Sequence, residues 1–324
     1  MRFLRALIAG LWTLALLTLG LSAAAAALLA QGGRMYPRLD VLSHFAPFWL
    51  AAGVVSAAMA LPFGPMGKKL ALMAPGLVGA LAATALMAPE YLRKAGPPAP
   101  AGAPGQIKLI QFNTWGRNTD VARTADWIVG EDPDVVVVEE ARPAIRDAIL
   151  ARRAYHVTCA RCSVMIFSRA RPVANDAPKQ PEGGLRVPIA RATFKTPQGA
   201  FTVLGVHYTW PTGGDIQQRQ GARLADLLRR FDKRRLILAG DFNSTPWSFS
   251  RRREDAMFGM ERRTRALFSW PAGEFSRRRI LSGLPWLPID HIYAGSAWRT
   301  VSVERGPKLG SDHYPVVARL ALEP

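Results

Sequence analysis

The chain has 324 residues, 49% of them apolar, and carries 42 Lys and Arg against 24 Asp and Glu, a net charge of +18 at pH 7. A surplus of this size suits a polyanion such as nucleic acid or an anionic membrane surface, and does not choose between them. Only two cysteines occur and no internal repeat is visible, which excludes a four-sulfur zinc site and a repeat array.

The first 90 residues read as segments for a different solvent from the rest. Leu7 to Ala30, Phe45 to Phe63 and Leu70 to Ala88 are apolar and free of Lys, Arg, Asp and Glu. Each is close to the roughly 20 residues that cross a bilayer core as a helix. The basic start of the first (Arg2, Arg5) and its small-residue stretch Ser22 to Ala27 also fit a secretory signal. Its length and the two spans that follow favour retained helices, and the expectation is three transmembrane helices at about 6–30, 45–63 and 69–88 within an anchor spanning 1–90. Arg2 and Arg5 before the first span, and Lys68 and Lys69 between the second and third, place those flanks in the cytoplasm. Arg34, Arg38, Arg93 and Lys94 oppose that signal. Three spans then carry the remainder out of the cytoplasm.

Residues 91–106 contain AGPPAPAGAPGQ and read as a Pro/Gly/Ala linker. Residues 107–324 suffice for one domain with a real core, and beyond residue 104 the chain holds 34 basic and 22 acidic residues, a net +12. Much of that surplus lies in Arg251 to Arg253, Arg262, Arg263, Arg265 and Arg277 to Arg279, interleaved with Trp247, Trp270 and Trp286. A solvated surface and a polyanion site both fit that pattern. Cys159 and Cys162 form a C-x-x-C pair for which a redox centre, half a metal site, a disulfide and two free thiols all stay open.

Short aliphatic runs predict strands at Ile107 to Phe112, Val135 to Val138, Ser163 to Phe167, Phe201 to Val206, Leu236 to Leu238, Ile289 to Tyr293 and Val316 to Leu320. Apolar positions recurring at three and four predict helices over Thr119 to Gly130 and Ile216 to Phe231. The pattern indicates an α/β domain of two packed sheets with helices outside. Polar residues cluster just past the strands: Asn113, Glu139 and Glu140, His207, Asp241 and Asn243, Asp290 and His291, Asp312 and His313. Loops carried on a rigid sheet are where catalytic groups lie.

The ordered set QFNTW, VVEEARP, GVHYTWP, AGDFNSTPW, PIDHIY and LGSDHYPV resembles the endonuclease/exonuclease/phosphatase superfamily, which includes deoxyribonucleases, abasic-site endonucleases, inositol polyphosphate phosphatases and sphingomyelinases. With its apolar N-terminus the chain is most similar to the bacterial membrane-anchored branch. The resemblance covers about Ile107 to Leu320 and implies a four-layered α/β sandwich, two packed mixed sheets with outer helices. It implies a metal-dependent phosphoesterase holding Mg2+ or Mn2+ through Asn113, Glu140 and Asp312, with His207, Asp241, Asn243, Asp290 and His313 as catalytic residues. His313 would touch the phosphate as a base or a cation, Asp290 would fix its tautomer, and Asp241 and Asn243 would orient water and a phosphoryl oxygen. Glu139 stands where the family usually has Gln, and Tyr208 beside His207 leaves open which side chain enters the site.

Two departures bear on substrate. No acidic partner for His207 falls in Cys162 to Arg169, and Trp115 stands where abasic-site enzymes carry an acid. Expected substrates are therefore nucleic acid or lipid-headgroup phosphate esters, at a bacterial inner membrane with the domain in the periplasm and no protein partner. A non-catalytic binding module on the same fold would not need the whole residue set.

Overall fold

The structure, a computed structural model, describes residues 1–62, 64–94, 96–178, 186–273 and 284–323. Arg277 to Arg279 of the basic cluster, Phe63 at the end of the second apolar segment and Ala95 at the start of the linker lie outside the described residues. The chain divides into two compact units.

The first unit comprises Met1–Arg93 with the short segments Pro211–Asp215 and Trp247–Arg252. Its helices are α1 (Arg2–Gln31), α2 (Ala46–Met59) and α3 (Met66–Leu92). Three helical stretches, Phe3–Arg34, Pro37–Met59 and Met66–Leu92, are long and apolar enough to cross a membrane. The second is not one α-helix. Pro47 in its first turn and the Pro62, Gly64, Pro65 run confine α2 to 14 residues, about 21 Å of rise. The nine-residue 3-10 segment Pro37–Phe45 supplies the rest of the length.

Small residues bring these helices together. A β-carbon on Gly53 would lie 2.5 Å from the Gly76 carbonyl oxygen, and one on Gly79 would lie 2.8 Å from the Ala24 nitrogen. Ser56 Oγ donates to the Leu16 carbonyl at 3.0 Å. Large apolar side chains, Leu4, Ile8, Leu11, Val54, Val55 and Leu81 among them, point outward. Leu16, Leu72 and Leu86 are buried among the small residues, and the outward apolar side chains would suit a lipid surround. Asp40, buried in the same unit, accepts from the Phe249 and Ser250 N–H groups at 2.8 and 2.7 Å and so caps the first turn of α7 (Phe249–Phe258).

The second unit is built on two six-stranded mixed sheets. The first runs β11 (Trp298–Arg305), β12 (Val316–Leu322), β1 (Gln106–Asn113), β2 (Val135–Glu139), β4 (Met165–Ser168), β3 (His156–Thr158). The second runs β5 (Ala174–Asp176), β6 (Ile189–Thr196), β7 (Gly199–His207), β8 (Leu236–Asp241), β10 (Asp290–Ala294), β9 (Glu261–Arg262). β1 with β2 and β7 with β8 are parallel, and the other pairs are antiparallel.

Period-two alternation places every core residue. Leu109, Val137, Ile166, Val203, Ile237, Ile292, Trp298 and Val316 face the space between the sheets. The opposite faces meet helices: Ile110, Phe112 and Val136 pack with Ile128 of α4 (Val121–Gly130) and Ile145 and Ile149 of α5 (Pro143–Arg152). Leu204, Leu238 and Tyr293 pack with Leu224 and Leu228 of α6 (Gly214–Leu228) and with Phe258 of α7. Four layers result, as the resemblance implies. Gly205 lets the sheets approach closely, since a β-carbon there would fall 2.6 Å from Val137 Cγ1.

Trp298 is fully buried in this inner layer, edge-on to Phe201 at 5.2 Å. Trp298→Ala removes that volume and is expected to cost about 3–5 kcal/mol. Thermal unfolding of the purified protein should show a fall of roughly 10 °C.

Part of the Pro/Gly/Ala stretch is not a free linker. The Thr300 N–H donates to the Pro97 carbonyl and the Ala99 N–H to the Thr300 carbonyl, both at 2.8 Å, so this segment bridges to β11. The alternation of proline with a residue that keeps its N–H allows this at a sheet edge.

Candidate active site

The inward rows turn polar at one end of the sheets. Ile107 and Leu109 are followed by Gln111 and Asn113, Val135 and Val137 by Glu139, Val203 and Gly205 by His207, and Ile237 and Ala239 by Asp241, while Asp290 precedes Ile292. Register aligns these ends: Asn113 pairs with Glu139, and Asp241 pairs with both His207 and Asp290. The same alternation separates neighbours. Tyr208 points to the outer layer against Phe242, and His291 is held there by Ser244 O at 2.8 Å and Thr264 Oγ1 at 3.2 Å.

Asp290 Oδ2 engages His313 Nδ1 at 2.9 Å, and Gln111 Nε2 donates to Asp290 Oδ1 at 2.8 Å. The other ring nitrogen of His313 lies 3.7 Å from Asp241 Oδ2, and His207 Nε2 lies 3.6 Å from the same oxygen. Burial disfavours the His313 cation, but Asp290 and Asp241 beside it outweigh burial and push its pKa up to about 10. Asp241 is raised to about 6, chiefly by burial, with His313 opposing.

Asn113 joins this group to the other half of the cluster. Its Nδ2 donates to Asp241 Oδ2 at 3.0 Å and to Glu140 Oε1 at 3.2 Å. Glu140 leaves the strand at φ 51°, a left-handed turn that swings it out of the row Glu139 occupies. The Gly116 N–H holds its second oxygen at 2.8 Å. Glu139 is buried instead, accepting from Gln111 Nε2 at 2.9 Å. Burial first, then Asp290 and Asp241, raises Glu139 well above the usual carboxylate range. A neutral acid there can take the place of the family's usual glutamine.

Asn243 does not reach the site along an extended strand, as the sequence spacing suggests. It sits at φ 48°, its N–H donates to Asp241 Oδ1 at 2.8 Å, and its Nδ2 donates to the Tyr208 carbonyl at 2.9 Å. The turn chemistry of Asp and Asn builds this corner and keeps the two side chains together. Asp312 accepts from Trp270 Nε1 at 3.3 Å through Oδ2, while its buried Oδ1 has no partner among the described residues. Burial raises the Asp312 pKa, with His313 opposing.

Three supports have no role assigned from the sequence. Ser311 Oγ donates to the Asn113 carbonyl at 2.7 Å and accepts from the His313 N–H at 3.0 Å, tying β1 to the SDH turn. Gln217 on α6 donates to the Thr209 carbonyl at 2.8 Å and the Asn243 carbonyl at 3.2 Å. Gln111 is the third, identifiable only by its place in the inward row of β1. Among the described residues, Asp241 is the one carboxylate within ion-pair reach of His207.

The donor set fits a hard divalent cation. Glu140 and Asp312 offer carboxylate oxygens, and the unpartnered Asp312 Oδ1 is the atom a cation would satisfy. Asn113 turns its Nδ2 towards Glu140 and Asp241, and its Oδ1 accepts from the Trp115 N–H at 3.0 Å. Asp241, Asp290 and His313 also present ligand atoms within 4.8 Å of one another. Asp290 and His313 are already committed to each other, so the Glu140 and Asp312 side is the better cation position.

Comparison with known proteins gives the class. The family model described as Endonuclease/Exonuclease/phosphatase family matches residues 110–313. The chain belongs to this family, whose members are phosphoesterase hydrolases. No curated protein matches. Among solved structures, it is similar to an endonuclease/exonuclease/phosphatase from Beutenbergia cavernae, at 21% identity and TM-score 0.51 over 67% of this chain and 72% of that one. It is similar to an endonuclease/exonuclease/phosphatase from Bacteroides vulgatus, at 16% identity and TM-score 0.54 over 67% and 99%. A third is D. rerio TDP2 complexed with single strand DNA product, at 15% identity and TM-score 0.52 over 66% and 98%. At these identities the likeness is one of fold.

Proposed function

We propose that this protein is a membrane-anchored, divalent-metal-dependent phosphodiesterase acting on nucleic acid outside the cytoplasm. The observation that carries the chemistry is the convergence of Asn113, Asp241, Asp290 and His313, joined by two hydrogen bonds and the 3.7 Å ion pair of His313 with Asp241. Glu140 and Asp312, joined by Asn113 once its amide turns to present Oδ1, would hold Mg2+ or Mn2+, which when bound supplies positive charge to the phosphate oxygens. Asp241 and Asn243 orient the attacking water and a phosphoryl oxygen. His313, cationic at neutral pH, stabilises negative charge developing on the phosphate, and Asp290 fixes its ring. His207 lies on the open side of Asp241.

The +12 surplus of the chain beyond residue 104 favours nucleic acid. The helices of the first unit favour a second reading, a phospholipid phosphodiesterase. Purified protein is to be assayed on plasmid DNA and on headgroup-labelled vesicles, with Mg2+ or with EDTA. Cleavage of vesicles alone would sink the nuclease reading.

The charge states give a pH profile. Asp241 must be ionised to take a proton from water, so activity rises as pH passes about 6. His313 must keep its proton, so activity falls as pH approaches about 10. A bell-shaped kcat/KM profile with these limbs is expected, and a profile falling from pH 6 upward contradicts the roles.

Cys159 and Cys162 are bridged, which suits an oxidising compartment. A reporter fused after Pro324 is expected to work outside the cytoplasm. Function only inside the cytoplasm contradicts the placement.

A further inference from the structure

Beside the site lies a pocket of about 440 Å³ whose walls include Glu140, Arg142, Arg161, Cys162, Ser163 and His207. It opens directly from the residues assigned to the reaction, yet none of the roles above uses its two arginines.

Each arginine is held in place by backbone. Arg142 immediately precedes α5, and the Ala141 N–H donates to the Ser163 carbonyl at 2.9 Å, joining the two sides of the pocket floor. Arg161 lies between the bridged Cys159 and Cys162, in a tight turn closed by the Cys162 N–H on the Cys159 carbonyl at 2.9 Å. Arg146 Nη1 fixes that turn through the Ala160 carbonyl at 2.8 Å. The Arg142 guanidinium sits close to the metal-side glutamate: a methyl on Gly116 would meet Arg142 Nε at 3.1 Å, its Nη2 at 3.2 Å and Glu140 Oε2 at 3.5 Å.

Despite that proximity neither guanidinium is neutralised. Among the described residues, Arg142 and Arg161 have no carboxylate within ion-pair distance, whereas Arg146, Arg152, Arg153 and Arg169 nearby each have one. Two uncommitted guanidiniums lining one pocket suit an oxyanion held between them, as the planar fork of arginine pairs bidentately with phosphate. The reacting phosphate belongs at the Glu140 and His313 side, so this wall meets a different anion.

We infer that Arg142 and Arg161 form a second phosphate subsite, which holds the phosphate neighbouring the scissile one on a nucleic acid strand. The inference rests on the nucleic acid reading above. A strand carries a further phosphate on each side of the one attacked; the common diester lipids carry a single phosphate, the scissile one, and leave this wall empty.

The test uses the full chain in neutral detergent, with EDTA present so that no cleavage interferes. Fluorescence anisotropy of a fluorescein-labelled oligothymidylate gives Kd over a range of salt for the wild type, for Arg142→Gln/Arg161→Gln and for Arg142→Lys/Arg161→Lys. Both residues are exposed, and thermal unfolding verifies that each variant is folded. The Gln pair is expected to weaken binding at least about tenfold and to lower the salt slope by about 0.7, one neutralised phosphate on a single strand. The Lys pair, which keeps both charges, should recover most of that slope. Equal Kd and slope in wild type and Gln pair overturn the subsite, as does a loss confined to binding of anionic phosphatidylglycerol vesicles. Hydrolysis with Mg2+ is read separately. A wild type that binds through the arginines and cleaves no nucleic acid leaves the subsite standing and removes the proposed function instead.

Discussion

His313→Ala and Asp241→Asn are each expected to lower turnover by at least about a hundredfold, the range for loss of a positioned acid, base or charge. His313 is buried with Asp290 at 2.9 Å and Asp241 at 3.7 Å, and those two carboxylates make it a cation. Removing the ring removes the one positive charge of the group and leaves Asp290 with Gln111 as its donor. Asp241→Asn keeps the shape but ends the ability to take a proton from water. It also replaces an acceptor that serves Asn113 at 3.0 Å and the Asn243 N–H at 2.8 Å, so the corner has to be verified by near-UV circular dichroism. KM should change little in either variant if the loss lies in the transition state. Two folded variants with wild-type turnover would show that the cluster is not the reacting centre.

Chelation is expected to abolish activity altogether, with Mg2+ or Mn2+ restoring it. Glu140→Ala should raise the metal concentration for half-maximal rate by at least about tenfold. Glu140 is placed for this role by two features: a left-handed backbone at φ 51° and a carboxylate held by Asn113 and Gly116 and, among the described residues, by no cation. His313→Ala should not be rescued by extra metal, which separates loss of ion from loss of charge at the histidine. Undiminished turnover in EDTA would refute metal dependence.

Much of this was legible because strand alternation is visible in sequence. The runs KLIQFN, VVVVE, VLGVH and LILAGD each alternate faces, so knowing that one face is the inter-sheet core tells which polar residue ends in the site. Asp290 over His291 follows from that alone, whereas the choice of His207 over Tyr208 needs the structure, which puts Tyr208 against Phe242 in the outer layer. What the pattern hid has physical causes. The helix FSRRREDAMF carries five charged residues in ten and shows no apolar stripe, and its first turn is capped by Asp40, about two hundred residues away in sequence. The helix PAIRDAILAR begins at a proline and buries only Ile145 and Ile149. β6 and β11 mix charged with apolar residues because one lies next to the edge of its sheet and the other at the edge. Glu139 and Glu140 differ by a backbone flip, and Asn243 by a turn, which spacing along an extended chain cannot express. Gln217 lies in no motif, and Gln111 and Ser311, though inside motifs, show no role in sequence because their partners are mainly backbone carbonyls or neighbouring acids brought near by the fold.

The decisive assay is hydrolysis of bis(p-nitrophenyl) phosphate, a diester with no further phosphate and no base, by the purified full chain with Mg2+ and with His313→Ala alongside. Metal-dependent turnover by the wild type, lowered at least about a hundredfold in the variant, is the expected result. No turnover with either Mg2+ or Mn2+, or equal turnover in the two proteins, would contradict a phosphodiesterase site built from Asn113, Glu140, Asp241, Asp290 and His313.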